Sequence, residues 1–354
     1  MVNFTFSTFK KILFVSFPVD LGNQTLENNF KIIFNNEMKF FRFAGDHLIP
    51  NSKKISFYKS VYFRLKSAFS LRKNVLASTK DGNFILFQNL SPALFSYGNW
   101  SRQNAIIVLD WTRSLNADTY GQKIKKNIIF YVHKKIFNKC FKILCWTDAS
   151  LNHIHKVYGV NKSKLYKVPA PFLIKELSIK PRITPIKPRV LFIGGDWFRK
   201  GGDILLNAWE SILKSKCELT ILTSNDSGIT EDVKVYTNIR YGSAEHNKIF
   251  EQNDILILPA RFDAYPQVIG EAAAAGLAVI TTKFALGSSE VVQHGISGFI
   301  ANSPEESIDY LEELLKDHSK IDNFKYAGYY LMQHSFSADK IRKIYFDALG
   351  LNEI

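Results

Sequence analysis

The stretch RVLFIGGDWFRKGGDILLNAW, residues 189–209, decides the fold. A buried-type strand over 189–193 runs into Gly194 and Gly195. A short loop then carries Arg199 and Lys200, and Gly201–Gly202 open a helix with Asp203 near its start. Strand, glycine loop and helix together present backbone N–H groups and the positive end of a helix dipole to an anion, above all a phosphate. Two adjacent cations add point charge, and the arginine can grip bidentately. Glycine loops of this kind are common, so the alternative is a plain strand-to-helix turn with two solvated cations.

Outward from there, DILILPARFDAYPQVIGEAAAAGLAVI, residues 254–280, repeats the unit. Pro266 suits the first position of a helix and Gly276 its C-terminal cap. Asp263 precedes that helix, and Glu271 follows eight residues later. Glu271 then lies about 7–8 Å from the helix start at roughly 1.5 Å per residue. Phosphates could meet the N-terminal amides while a ribose diol bonds the carboxylate. Glu271 sits among Val, Ile, Gly and Ala, where a buried carboxylate is costly unless hydrogen-bonded. The alternative is a solvent-facing glutamate. A third module, ALGSSEVVQHGISGFI (285–300), holds Gly287, Ser288 and Glu290 in a loop and short helix, then Gly295 and Gly298 around a turn into a strand.

The rest of the chain keeps the rhythm. Strands are expected over 12–17, 84–88, 105–109, 142–147, 218–223, 255–258 and 277–281. Helices are expected over 119–141, 148–158, 202–213, 244–252, 266–275 and 304–317. Strand–helix alternation means parallel sheets with helices on both faces. The 354 residues predict two domains at about 150 residues each. Five of the eleven prolines, Pro169, Pro171, Pro181, Pro185 and Pro188, mark a linker between the halves. The expected domains are 1–178, a proline-rich linker at 179–188, and 189–337, with a C-terminal helix near 338–354 packing back on the first.

The three modules, in this order and spacing, resemble the second half of family-4 glycosyltransferases of the GT-B fold. The matching residues are Arg199-Lys200-Gly201-Gly202-Asp203, then Asp263 and Glu271 with AAAAGLAVI, then Glu290 to Gly298-Phe299. The resemblance implies two Rossmann-like domains facing a cleft, the second binding a nucleotide-diphosphate sugar and the first a glycan or lipid-linked acceptor. It implies transfer with retention and no permanently bound cofactor or metal. Lys200, aided by Arg199, would neutralise the diphosphate beside Gly194 and Gly195, and Asp263 would hold donor hydroxyls. Amides at Tyr265, Pro266 and Gln267 would face the phosphates, Glu271 would bond the ribose, and Glu290 would complete the donor site. Two departures stand out. Gly195 lies where many relatives carry arginine, and Asp263 replaces the commoner glutamate. In the first half the likeness is weak. Asp110 ends the strand of IIVLDWTR near the place of a histidine that is absent, with a helix N-cap as its alternative role. Asn99 and Arg102 are weaker candidates.

Charge divides the halves. Residues 1–180 hold 28 basic and 9 acidic side chains, a net of +19, whereas the remainder carries −5. Such asymmetry suggests an anionic partner for the first half. Segments 53–74 and 123–142 mix lysines with aromatics, as helices in an anionic membrane interface do, although such stripes also pack inward. The expectation is a cytoplasmic enzyme, peripheral on the inner face of a membrane. Three cysteines are too few for a disulfide framework and read as buried thiols. The opening residues make a poor signal peptide. Rival readings are another GT-B enzyme, an epimerase or phosphorylase, and a basic nucleic-acid-binding protein, for which no recognition motif is found.

Overall fold

The computed structural model describes residues 12–16, 21–34, 37–42, 57–96, 98–171, 180–224, 229–240 and 242–351. Contacts divide the chain into Met1–Val168 with Arg342–Ile354, and Pro169–Ile341.

The first unit holds β1 (Ile12–Ser16), β2 (Met38–Arg42), β3 (Phe84–Gln88), β4 (Ala105–Leu109), β5 (Lys142–Cys145) and β6 (Leu165–Lys167). They pair in parallel in the order β2-β1-β3-β4-β5-β6. β1, β3 and β4 are buried along their whole length. That is why they read as unbroken apolar runs: helices cover both faces of a parallel sheet.

Where a single helix over 119–141 is expected, the chain forms Arg113–Thr119 and Ile128–Lys139 instead. The side chains of Thr112 and Asn127 cap the two starts, accepting from Leu115 N and Phe130 N. Of these two caps only Asn127 lies inside the expected span, and it delays the helix start to Ile128. The last helix, Ala338–Leu349, supplies Tyr345 and Phe346 to the first unit's core. Trp146 Nε1 donates to Tyr345 Oη at 3.0 Å, and Lys142 Nζ to the Ala348 carbonyl at 2.6 Å.

The second unit holds β7 (Arg189–Ile193), β8 (Glu218–Leu222), β9 (Lys234–Tyr236), β10 (Ile255–Leu258), β11 (Ala278–Thr282) and β12 (Gly298–Ala301). Their order is β12-β11-β10-β7-β8-β9, again parallel. The short strands β2, β6 and β9, half-exposed or at an edge, carry too little apolar signal to be read from sequence. The helix expected over 202–213 is α-helical over Gly202–Ala208 and widens to a π-turn over Trp209–Leu213. At the far end of the second sheet, buried Lys325 donates to Asp254 Oδ1 at 3.2 Å and to the Arg182 carbonyl at 2.6 Å. Asp254 also takes the Arg189 guanidinium and amide. The segment 180–188 is thereby tied to the second sheet. All three cysteines are free and buried, and burial pushes the Cys140 and Cys217 thiols up to about 12.

Candidate active site

In each sheet the chain turns back on itself once. After β7, β8 and β9 build outward on one side, and β10 then returns to the other side of β7. An open parallel sheet leaves a crevice at such a reversal, beyond the carboxyl ends of the strands. The segments leaving β7 and β10 therefore lie side by side, and they carry Lys200 and Asp263.

The cations after β7 do not stand on a loop, as expected, but on a helical turn, Trp197–Lys200. Asp196 caps it, its carboxylate accepting from the Arg199 amide at 3.2 Å and from Arg199 Nε at 2.9 Å. Partial burial pushes the Asp196 carboxyl up, but the Arg199 guanidinium and amide outweigh it and hold the carboxyl below the usual carboxylate range. Two glycines let the turn close. Gly201 has φ +80°, and a Cβ there would meet the Pro259 carbonyl at 2.0 Å. At Gly194, an added Cβ would meet the Lys200 Cβ at 2.9 Å, so the bare strand end is the seat of that lysine stem.

Across the crevice, Asp263 is fixed by its backbone. Its amide donates to the Phe284 carbonyl at 3.0 Å, and its carbonyl accepts from Leu286 N at 2.8 Å. Its carboxylate takes the Lys200 ammonium as an ion pair, and Arg199 Nη1 lies 3.5 Å from the same oxygen. Arg199 Nη1 also donates to the Phe262 carbonyl at 2.9 Å. One carboxylate thus meets two cations in a half-buried setting, where charges interact more strongly than in water.

The helix expected over 266–275 runs Gln267–Ala274, with Pro266 as N-cap rather than first helical residue, and Ala275 as C-cap. Gly276 follows at φ +75°. Pro266 has no N–H, so the amide donors at this helix end come from Tyr265, Gln267 and Val268. Glu271 is 6% exposed. The helix is buried all round from Val268 to Ala274, which removes the solvent-facing alternative for Glu271. Gly287 lies under the Tyr265 ring, where a Cβ would meet it at 2.5 Å. Glu290 stands half-buried on helix Ser288–Val291.

One contributor was not assigned a role from sequence. Arg261 forks onto Asp203 with two bonds of 2.7 Å, lies 3.9 Å over the Phe198 ring and donates to the Phe198 carbonyl at 2.5 Å. It clasps the Lys200-bearing turn to the segment that carries Asp263. The Arg261 fork holds the Asp203 carboxyl below its usual range against partial burial. The residues are 58 apart in sequence, so only the fold brings them together.

In the first unit, Asp110 follows β4. Its Oδ1 accepts from the Trp111 amide at 2.9 Å, and its carbonyl accepts from the Ser150 hydroxyl. The helix N-cap there is Thr112, so Asp110 does not hold that role. Asn99 is buried and spends its side chain on Ser96 and Arg102, which makes both a local brace. Beyond them a chain of polar groups runs inward from exposed Asp118 to buried His153, Ser114 and Tyr158. Asp118 Oδ2 meets His153 Nδ1 at 3.0 Å, His153 Nε2 meets Ser114 Oγ at 2.8 Å, and that hydroxyl meets Tyr158 Oη at 2.8 Å. Asn89, after β3, has φ +68°. Among the described residues no group of three or more His, Cys, Asp or Glu could hold a metal ion. Among them, too, no helix is long and apolar enough to cross a membrane.

Comparison with known proteins finds a family likeness over part of the chain. Residues 187–317 match glycosyl transferases group 1. The matched segment contains Lys200, Asp263, Glu271 and Glu290. A protein of the cps region of Klebsiella pneumoniae, described as an uncharacterized 41.2 kDa protein, is 25% identical over 215 residues, covering 56% of this chain and 57% of that one. The chain spans little more than half the length of that curated relative. The fold is GT-B. Sucrose-phosphate synthase from Thermosynechococcus elongatus superposes with TM-score 0.74 at 13% identity, covering 97% of this chain and 100% of that one. HepE from Anabaena, solved with UDP and glucose, gives 0.71 at 14%, covering 96% and 99%.

Proposed function

We propose that the protein is a retaining glycosyltransferase that moves a sugar from a nucleoside-diphosphate donor to a glycan or lipid-linked acceptor, in the synthesis of a cell-surface polysaccharide or glycolipid. The observation that carries this is the meeting of Lys200, Arg199 and Asp263 at the reversal of the second sheet, inside the group 1 segment. HepE, of like fold, is seen with UDP and glucose, and the Klebsiella relative lies in a cps region. Both support the donor class and the setting. The family-4 subtype belongs to the same proposal.

In this reading the Lys200 ammonium, assisted by Arg199, takes the diphosphate, with the Tyr265 and Gln267 amides on its other oxygens. The Lys200–Asp263 pair then opens, and Asp263 turns to the hydroxyls of the donor sugar. Glu271 bonds the ribose diol, and Glu290 closes the site. The bond from the anomeric carbon to the phosphate oxygen breaks, and a bond to the acceptor oxygen forms on the same face. The acceptor proton passes to the departing phosphate oxygen. Preorganised cations and amides stabilise the charge that develops there. The first unit takes the acceptor, with Asp110 at its strand end, and the enzyme works at the cytoplasmic face of a membrane.

A panel of nucleoside-diphosphate sugars scored by thermal stabilisation tests this. A true donor at 100 times its Kd adds about 2.7 kcal/mol to folding stability by mass action. If no nucleoside diphosphate or its sugar shifts the melting point, the proposal fails. Release of free epimerised sugar nucleotide without acceptor would favour the epimerase reading.

A further inference from the structure

From Thr119 to Thr147 the chain holds seven lysines and no acidic residue. The fold sorts this segment into an inside and an outside. Phe130, Ile136 and Phe137 are buried, and Phe130 stacks on Tyr158 at 4.8 Å. That anchor fixes the roll of helix Ile128–Lys139. It leaves Ile128 79%, Ile129 44% and Tyr131 58% exposed at the first turn. The Asn127 cap, accepting from Phe130 N at 3.1 Å, holds the turn rigid. Lys123, Lys125, Lys126, Lys134 and Lys135 surround it and are exposed. Among the described residues none of these five has an acidic partner within 4.0 Å. A groove of about 620 Å³ lined by Asp118, Gln122, Lys123, Ile124, Lys125 and Lys126 lies beside the turn, with Asp118 held by His153. Helix Phe57–Lys80 packs against the same short turn, Asn99–Ser101, as this helix does. It adds exposed Phe69 among Lys66, Arg72 and Lys73.

Exposed isoleucines at the first turn of a well-anchored helix lose hydration only by entering another apolar phase. Cations around them select an anionic one. We propose that the turn Ile128–Tyr131 and the lysines beside it form the face by which the protein docks on an anionic bilayer, the apolar side chains entering the headgroup boundary and the ammonium groups meeting lipid phosphates. This locates the membrane association proposed above and rests on that part of the reading alone.

The test is flotation of the full-length protein with vesicles of phosphatidylcholine containing 30% phosphatidylglycerol, with pure phosphatidylcholine vesicles and a DNA duplex as parallel probes. Wild type is expected on the anionic vesicles in low salt and not on neutral ones. Lys123→Gln with Lys125→Gln and Lys126→Gln should weaken partitioning on the order of 100-fold, since each cation near the surface counts about fivefold. Ile128→Ser with Ile129→Ser should weaken it by about tenfold or more while leaving DNA binding unchanged. Nucleotide-sugar binding, read by thermal shift, should be untouched in both variants and shows that they fold. Failure of wild type to float removes membrane association altogether. Wild-type flotation by both variants removes this face while the association stands. Loss in the lysine variant but not the isoleucine variant, matched by equal loss on DNA, makes the surface a general polyanion binder and overturns the proposal. Absence of nucleotide-sugar binding with flotation intact tells against the transferase reading alone.

Discussion

The two sheets are near twins in topology and unlike in what their carboxyl ends carry. Each has six parallel strands with one reversal, between β1 and β3 in the first and between β7 and β10 in the second. At the second reversal stand full charges in reciprocal pairs: Lys200 with Asp263, Arg199 with Asp196, Arg261 with Asp203. Among the described residues the ends of β3 and β4 carry mainly neutral groups, Asn89, Thr112, Ser114 and the buried ring of His153, with Asp110 bonded to its neighbour's amide, while at the ends of β1 and β2 buried Glu27 takes Ser16 and Arg42. The fold builds a like reversal twice, and the proposed reading gives the second to a phosphate. A fixed anionic ligand calls for cations on short, capped turns, whereas a sugar acceptor can be met by dispersed hydroxyls and amides.

Substitutions can break this contrast or sharpen it. Lys200→Ala is expected to cost the most, about 10²–10³-fold in kcat as for other lost transition-state donors. A variant that turns over normally would take Lys200 out of the site. Glu271→Gln should raise the donor KM by about 10–100-fold, the worth of a hydrogen bond to a charged group, with kcat little changed. Unfolding of this variant, seen in its melting curve, would instead make Glu271 a structural carboxylate. Asp110→Asn should act on the other unit. It is expected to raise the acceptor KM by about tenfold and leave donor affinity unchanged. A change in donor affinity would erase the division of labour.

The smallest expected effect concerns stability and pH. Burial holds the His153 imidazole below its ordinary value of 6.5, although Asp118 works the other way. The unfolded chain therefore binds a proton that the folded chain refuses. His153 contributes stability above pH 6.5 that is lost as pH falls through its folded value. Denaturant melts of wild type and His153→Gln between pH 7 and 5 should converge on acidification. Parallel curves would remove this residue from the pH response.

Where residues act within one strand-turn-helix, they could be read in sequence. Gly194, Lys200, Gly201 and the helix carrying Glu271 were legible because glycine, cation and acid spacings follow from local geometry. Buried parallel strands were legible as unbroken apolar runs. The Arg261–Asp203 clasp was not, because nothing local links positions 58 apart. The helical turn under Lys200 escaped notice as well, since four residues between glycines give no periodicity. Asp196, three residues before Arg199, was its one available signal. Segment 123–142 shows the limit from the other side. Its aromatic and lysine spacing allowed core or surface, and only the stacking of Phe130 on Tyr158 settled which face of the helix turns out. The membrane reading of segment 53–74 rested on Lys53, Lys54, Phe57, Tyr58 and Tyr62, whose side chains lie outside the described residues.

A structure determined with a nucleoside diphosphate bound would test the central claim most directly. The diphosphate should lie about 3 Å from Lys200 Nζ, displacing Asp263, with the ribose diol on the Glu271 carboxylate. A nucleotide seated away from these residues, with the Lys200–Asp263 pair still closed, would contradict it.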